Sequence, residues 1–227
     1  MSEYENVSAV SYESIRKMEN IRTYITAADN SLKVQGFTEH SFAHVTQAAK
    51  TAEYILKTLG YDEHTVDLAM IAGLLHDIGN LVNRTDHSQS GAIMAFRILD
   101  KLEMPAEDIA TVVTAIGNHD EGSGVPVSAV AAALILADKS DVRRSRVRNS
   151  DITTFDIHDR VNYSVTSSAV SITEDKKTVE LKLTIDISIS PVMDYFEIFL
   201  GRMIMCRKAA EYLGLGFRLI INDQQLF

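Results

Sequence analysis

Residues 73–81 read GLLHDIGNL. Apolar side chains run up to His76 and Asp77, and Gly79 follows. A carboxylate at the end of so apolar a run is costly to bury unless something compensates its charge. The pair is therefore either exposed at a helix end or met by partners from elsewhere in the chain. The longer stretch DEHTVDLAMIAGLLHDIG (62–79) reads as a helix with Asp62 as its N-cap. Any partners must then come from other helices.

The flanking sequence supplies such helices. SYESIRKMENIRTYITAADNSLKV (11–34) has a loose helical period, as does TEHSFAHVTQAAKTAEYILKTL (38–59), which closes at Gly60. Thr85 or Asp86 can cap a helix from His87 to about Leu102, and Pro105 suits the first position of PAEDIATVVTAIGNH. The segment VSAVAAALILADKSDVRR (127–144) is apolar nearly all round and should be central. Beyond about residue 150 the period changes. VNYSVT (161–166) and VELKLTIDISI (179–189) alternate as strands, with Val179, Leu181, Leu183, Ile185, Ile187 and Ile189 on one face. Ser190-Pro191 then opens a helix to about Leu213, and FRLII follows as a strand. The fold class is mainly α: a helical bundle over residues 1–150, with its core at 38–148, followed by a small α+β (β-β-α-β) subdomain over 151–227. The last helix has enough apolar surface to pack on the sheet and on a second layer, either the bundle or the second subunit of a homodimer.

The totals narrow the function. The 227 residues carry a net charge of −9, so no overall basic field draws nucleic acid. The local basic run RRSRVR (143–148) has no interleaved aromatics. It suits a solvated helix end or, for one of its arginines, a phosphate contact. No apolar run approaches a membrane span, and the polar, acidic N-terminus lacks the pattern of a secretory signal. Cys206 is the only cysteine, which excludes an internal disulfide and a Cys-based zinc knuckle and fits a reducing, cytoplasmic setting. With no His or Asp near it in sequence, it reads as a buried structural thiol.

The helical half contains His44, His76, Asp77, His87, His119 and Asp138, each on or at the end of an expected helix. Imidazole and carboxylate are ligands that zinc, iron, manganese and nickel accept, and a carboxylate can bridge two cations. Helical bundles build dinuclear sites from such side chains. Taken singly, a helical His is more often exposed or a satisfied core residue, which is the reading for His64 and His158. His40 shares a helix face with His44 and supports or rivals it. Asp138 follows a long uncharged run, so a compensated, buried carboxylate is expected there.

The order H…HD…H…H…D, with HVTQAAKTAEYILKTLG, GLLHDIGN, HSQSGA, IGNHDEG and ILADKSDVRR, resembles the HD superfamily of metal-dependent phosphohydrolases over roughly residues 38–148. The resemblance implies a first metal on His44, His76, Asp77 and Asp138. It implies a second on His87 and His119, with Asp77 bridging. The bis(5′-nucleosyl)-tetraphosphatase-like branch has this shape, including the step matched by His87, Gly91 and Ala92. It implies divalent ions (Mn, Fe, Ni, Zn or Mg), two per chain as in the two-metal branches, and hydrolysis of a phosphate ester or anhydride of a nucleotide or other small phosphorylated metabolite. Lys139 and Arg144 are expected to assist Asp77 in the reaction, and Arg84, Arg144 and Asn80 to meet the substrate. Asn80 stands where many relatives carry Lys or His, a gap that Arg84 is placed to fill. The same ligand set also holds two irons in HD-fold oxygenases, and a metal-stabilised sensor without activity is a third reading.

Overall fold

In the computed structural model, residues 10–226 are described. The chain order is α1 (Tyr12–Ile15), α2 (Glu19–Val34), α3 (Phe42–Leu59), α4 (Glu63–Leu75), α5 (His87–Lys101), α6 (Ala106–Gly117), α7 (Ala129–Lys139), α8 (Ile157–Ser164), β1 (Val165–Ile172), β2 (Thr178–Ile185), α9 (Val192–Tyr212), β3 (Gly216–Ile221) and β4 (Gln224–Gln225). The fold is mainly helical, with a small α+β region at the C-terminal end. Helices α4 and α7 are the inner pair. On α4, Val66 and every residue from Leu68 to Leu75 are buried, and on α7 every residue from Val130 to Lys139 is buried. Around them pack α3, α6 and, on the far side of α7, α9.

Local chemistry sets the ends of these helices. Asp62 and Ser128 accept hydrogen bonds from Thr65 N and Ala131 N, as N-caps do. Gly60 ends α3 in the left-handed region, at φ 89°. The expected helix 11–34 is instead two helices that meet at residues 16–18. Asp86 precedes α5 at φ 56° and makes no capping bond, so it marks the start of the helix without acting as the expected cap. Pro105 occupies the N-cap position and Ala106 opens α6.

The C-terminal region departs from expectation at both of its first strands. Residues 161–164 are not strand: Asp156 accepts a bond from Asp159 N and starts α8, which runs to Ser164 before β1 begins. Four alternating residues are too short a pattern to outweigh a capped helix turn. The β2 face is buried at Val179, Leu181, Leu183 and Ile185, then stops. Asp186 takes bonds from Ser188 N and Ser188 Oγ and turns the chain, which leaves Ile187 exposed. The sheet order is β1-β2-β3-β4; β2 and β3 are parallel, and the other pairs antiparallel. Helix α9 is the crossover between the parallel strands. It buries Tyr195, Phe199, Met203, Cys206 and Ala209 between the sheet and α7, so the second layer on this helix is the bundle. Burial pushes the Cys206 thiol up to about 12, as suits an inert structural residue.

After α4 a 3-10 turn (Ile78–Leu81) drops onto the start of α5. A Cβ on Gly79 would lie 2.0 Å from His87 O and 2.4 Å from Gly91 N. Only glycine lets the turn that follows His76-Asp77 meet the helix that carries His87. Gly79→Ala is therefore expected to destabilise the fold by more than about 2 kcal/mol in urea unfolding. Gly201→Ala, where a Cβ meets nothing within 4 Å, should be neutral or stabilising.

Candidate metal centre

The structure brings His44, His76, Asp77, His87, His119 and Asp138 together in one buried cluster. His44 comes from α3, His76 and Asp77 from the end of α4, His87 from the first residue of α5, His119 from just past α6, and Asp138 from α7. His44 Nε2 lies 3.4 Å from Asp77 Oδ2 and 3.2 Å from Asp138 Oδ1. His76 Nε2 lies 3.2 Å and 3.5 Å from the same two oxygens. Asp77 Oδ1 turns the other way, 3.6 Å from His87 Nε2. His87 Nε2 in turn is 3.2 Å from His119 Nε2. Ligand atoms of three overlapping triads lie within 4.8 Å of one another: His44, His76 and Asp77; His76, His119 and Asp138; and Asp77, His87 and His119.

The outward ring nitrogens settle which way the lone pairs point. The Nδ1 atoms of His76, His87 and His119 donate to Gly73 O (2.8 Å), Arg84 O (3.1 Å) and Ile116 O (2.6 Å). A carbonyl oxygen can only accept, so each Nδ1 carries the proton and each Nε2 presents a lone pair. His44 Nδ1 donates to the Asp141 carboxylate at 2.7 Å. Lone pairs of imidazole thus face lone pairs of carboxylate and of imidazole across one small volume. His44 Nε2, His76 Nε2 and Asp77 Oδ2 are buried with no hydrogen-bond partner among the described residues. Such a set of acceptors is repulsive unless protons or a cation sit among them, and the donor types fit divalent transition metals. The residues present therefore fit the metals that the resemblance implies.

Electrostatics in the metal-free cluster point the same way. Burial opposes charge on His44 and His76, yet the neighbouring carboxylates overcome it and raise the two rings to about 8 and about 10. Burial likewise opposes ionisation of Asp77 and Asp138, but His76 on the first, and Lys139 and His76 on the second, hold both carboxyls well below their usual range. His87 and His119 are pushed down, chiefly by burial, and stay neutral. Protons can occupy the first half of the cluster when no metal is bound; the His87–His119 half stays a pair of opposed lone pairs.

The surrounding groups divide clearly. Lys139 is buried, with Nζ 2.8 Å from Asp138 Oδ2 and 3.3 Å from Glu121 Oε2. Asn80 is buried and donates to Asp77 Oδ1 at 2.9 Å, so it holds the carboxylate in place. Arg84 reaches Asn80 Oδ1 (3.3 Å) and His87 Nε2 (3.5 Å) and stands over the Phe37 ring. Arg144 is not gathered with them. Its Nε donates to Tyr163 O at 2.6 Å and its guanidinium stacks on the Tyr163 ring, facing the C-terminal region. The rest of RRSRVR is no solvated helix end. α7 stops at Lys139, Arg143 pairs with Asp141, and Arg146 is buried with bonds to Glu39 O and Asp141 O. His40 packs edge-on against His44, while His64 is exposed and pairs with Asp108. Asn162 bonds within α8, to His158 O, and does not reach the cluster.

Sequence reasoning missed Asp141 as a support for His44. Asp138, Lys139 and Asp141 all serve the cluster because the helix ends between them; a continuous helix would not have allowed all three. The spacing of Asp138 and Asp141 was the signal that could have found it. Because Asp141 fixes the tautomer and raises the basicity of His44, Asp141→Asn should weaken Mn²⁺ binding about 10-fold or more by calorimetry. Metal binding must displace the protons on His44 and His76. Their raised pKa values mean that these protons are held at neutral pH and lost only as pH rises through about 8 and about 10. Apparent Mn²⁺ affinity should therefore fall as pH is lowered from about 8 to about 6, with proton release on binding. A pH-independent affinity would contradict this.

Residues 41–144 match the HD domain. An uncharacterized protein of Methanocaldococcus jannaschii is 24% identical over 245 residues, covering 96% of this chain and 92% of its own. The crystal structure of a predicted HD superfamily hydrolase from an uncultured Thermotogales bacterium overlaps with a TM-score of 0.42 at 24% identity, covering 58% of this chain and 73% of that one. The segment that matches the HD domain, residues 41–144, contains all six of the clustered side chains.

Proposed function

We propose that the protein is a metal-dependent phosphohydrolase that cleaves a phosphate ester or anhydride of a small phosphorylated molecule, nucleotides included. One observation carries this reading: four imidazole Nε2 atoms and the carboxylates of Asp77 and Asp138 converge in one buried volume, where His44 Nε2, His76 Nε2 and Asp77 Oδ2 have no hydrogen-bond partner among the described residues. His44, His76, Asp77 and Asp138 would hold one cation, and Asp77, His87 and His119 a second. When bound, such ions lower the pKa of a coordinated water and offset charge on the phosphoryl oxygens.

The chain's own residues have defined tasks around that centre. Asp77 offers Oδ2 to the His44–His76 side and Oδ1 to the His87 side, as a bridging carboxylate must. Asn80 keeps it in that orientation by its bond to Oδ1. Lys139 occupies Asp138 Oδ2 and leaves Oδ1 turned to the histidines. Arg84, beside His87, is the nearest cation with some of its surface free to meet a phosphoryl oxygen. The tautomers fixed by Gly73 O, Arg84 O and Ile116 O keep the three rings from rotating away. The carboxylates and imidazoles of the cluster would be committed to holding the ions, and no Ser, Thr or Cys stands among them, so water would be the attacking group.

His76→Ala or Asp77→Ala should remove bound metal and phosphate release together, by at least about 100-fold in rate. His64→Ala, at an exposed ion pair on the opposite end of α4 from His76, should change neither. The measurement is elemental analysis of protein purified without a histidine tag, followed by phosphate release from a panel of nucleotides and sugar phosphates. Full activity in Asp77→Ala sinks the assignment. Tightly held iron together with oxygen consumption would move it to oxidation.

A further inference from the structure

Beside the metal cluster lies a cavity of about 190 Å³ that the C-terminal region closes. Its wall includes His40, Phe37 and Arg146 from the helical half and Phe199 and Arg202 from α9. Two carboxylates also line it, Asp156, which caps α8 by accepting from Asp159 N, and Asp159, which accepts from Asn149 Nδ2, so an anion is accommodated at the Arg202 end. It adjoins the ligands: the His40 ring packs against His44, with centroids 5.5 Å apart. A second tie runs through charges. Arg202 Nε is 2.7 Å from Glu121 Oε1, Glu121 Oε2 is 3.3 Å from Lys139, and Lys139 is 2.8 Å from Asp138.

Arg146 is buried and held in place, with Nε and Nη1 both committed to backbone carbonyls. Arg202 is not. Glu121 takes its Nε edge and the Phe199 ring lies under its guanidinium at 4.3 Å. Among the described residues no hydrogen bond engages Nη1 or Nη2. A guanidinium held by one edge and one face is pre-oriented, and its remaining donors match the oxygens of a carboxylate or phosphate. Lys139 is already taken up by the cluster, and Arg144 is turned away, so Arg202 is the cation on this wall with donors to offer.

We propose that Arg202 and this cavity form a second anion subsite, so that the substrate is a small phosphorylated molecule carrying another negatively charged group away from the phosphoryl centre. This rests on the phosphohydrolase reading of the metal cluster. The cavity is smaller than the roughly 300–1,000 Å³ of sites for drug-sized ligands, which favours a compact substrate. The role of the C-terminal region is then to read the far end of the substrate.

The test uses Mn²⁺-loaded full-length protein and non-hydrolysable probes: α,ω-alkyl bisphosphonates of increasing chain length, each against its matched alkyl monophosphonate, by calorimetry. At the chain length that spans the two places, the bisphosphonate should bind about tenfold tighter than the monophosphonate, the gain expected of one charge-assisted contact. Arg202→Gln should bring the two level; the margin is read as a ratio within each variant, so any change in Mn²⁺ or monophosphonate affinity passed on through Glu121 and Lys139 cancels. Arg202→Lys should keep some of the margin, which guards against simple misfolding of the first variant. If monophosphonates bind but no bisphosphonate binds better, or if Arg202→Gln keeps the full margin, the subsite is overturned and the metal reading survives. If neither probe class binds the Mn²⁺-loaded protein, both fall.

Discussion

The helical half is arranged around one electrostatic problem: more acceptor atoms are crowded into a buried volume than the neighbouring Asn80, Lys139 and Arg84 can satisfy. Four imidazole Nε2 atoms and the oxygens of Asp77 and Asp138 meet at close range, and only protons drawn onto His44 and His76, or a cation, can relieve the crowding. A chain left to maximise its own stability would not assemble such a cluster, because each unpaired buried acceptor costs on the order of 1–3 kcal/mol. The fold must supply that free energy elsewhere. It does so with two helices buried nearly all round, α4 and α7, whose apolar contacts hold His76, Asp77 and Asp138 at fixed positions. A cation then offsets the deficit, so metal binding and local stability are linked.

Few residues are needed to aim the ligands. His76 and His119 each donate Nδ1 to a carbonyl three residues back, at the C-terminal end of α4 and α6, where carbonyls lack helical partners. One side chain thus satisfies a helix end and fixes its own tautomer. His87 does the equivalent with Arg84 O at the entry to α5. His44, within α3, has no free carbonyl to use, and there the chain supplies Asp141 instead. The closeness of Gly79 to His87 O and Gly91 N brings the α4 and α5 contributions within reach of each other.

The same geometry separates what was legible in the sequence from what was not. The six clustered side chains could be read because each is a metal-competent group beside an apolar helical run, and their order carried the family resemblance. The helices around them were legible for the same reason, down to the Asp62 cap and the Gly60 stop. What failed depends on tertiary partners. Arg144 lies next to the site in sequence, but the carbonyl and ring of Tyr163 draw it away. Asn80 looked like a substrate contact and is a buried strut for Asp77. The segment 161–164 alternates like a strand and is helix because Asp156, five residues earlier, caps it. Arg202 could not be read at all: it sits in a helix remote in sequence, and nothing local distinguishes it from a surface arginine.

The attachment point of the α+β region has a physical consequence for the centre. Helix α9 packs along α7, the helix that ends at Asp138 and Lys139, and one apolar core runs through both halves. The region therefore does not hang from a flexible tether; it buttresses the helix that presents Asp138. Glu121 is the joint of this arrangement. Burial opposes its ionisation, but Lys139 and Arg202 on either side hold its carboxyl down to about 2, so it stays charged at any pH where the protein works. A carboxylate shared between a cation on the metal side and a cation on the C-terminal side makes the position of each depend on the other. Displacing α9 would release Glu121, free Lys139 from one of its two partners, and loosen the carboxylate that Lys139 holds toward the histidines. The α+β region is in this sense a component of the centre, joined to it by packing on one face and by charge on the other.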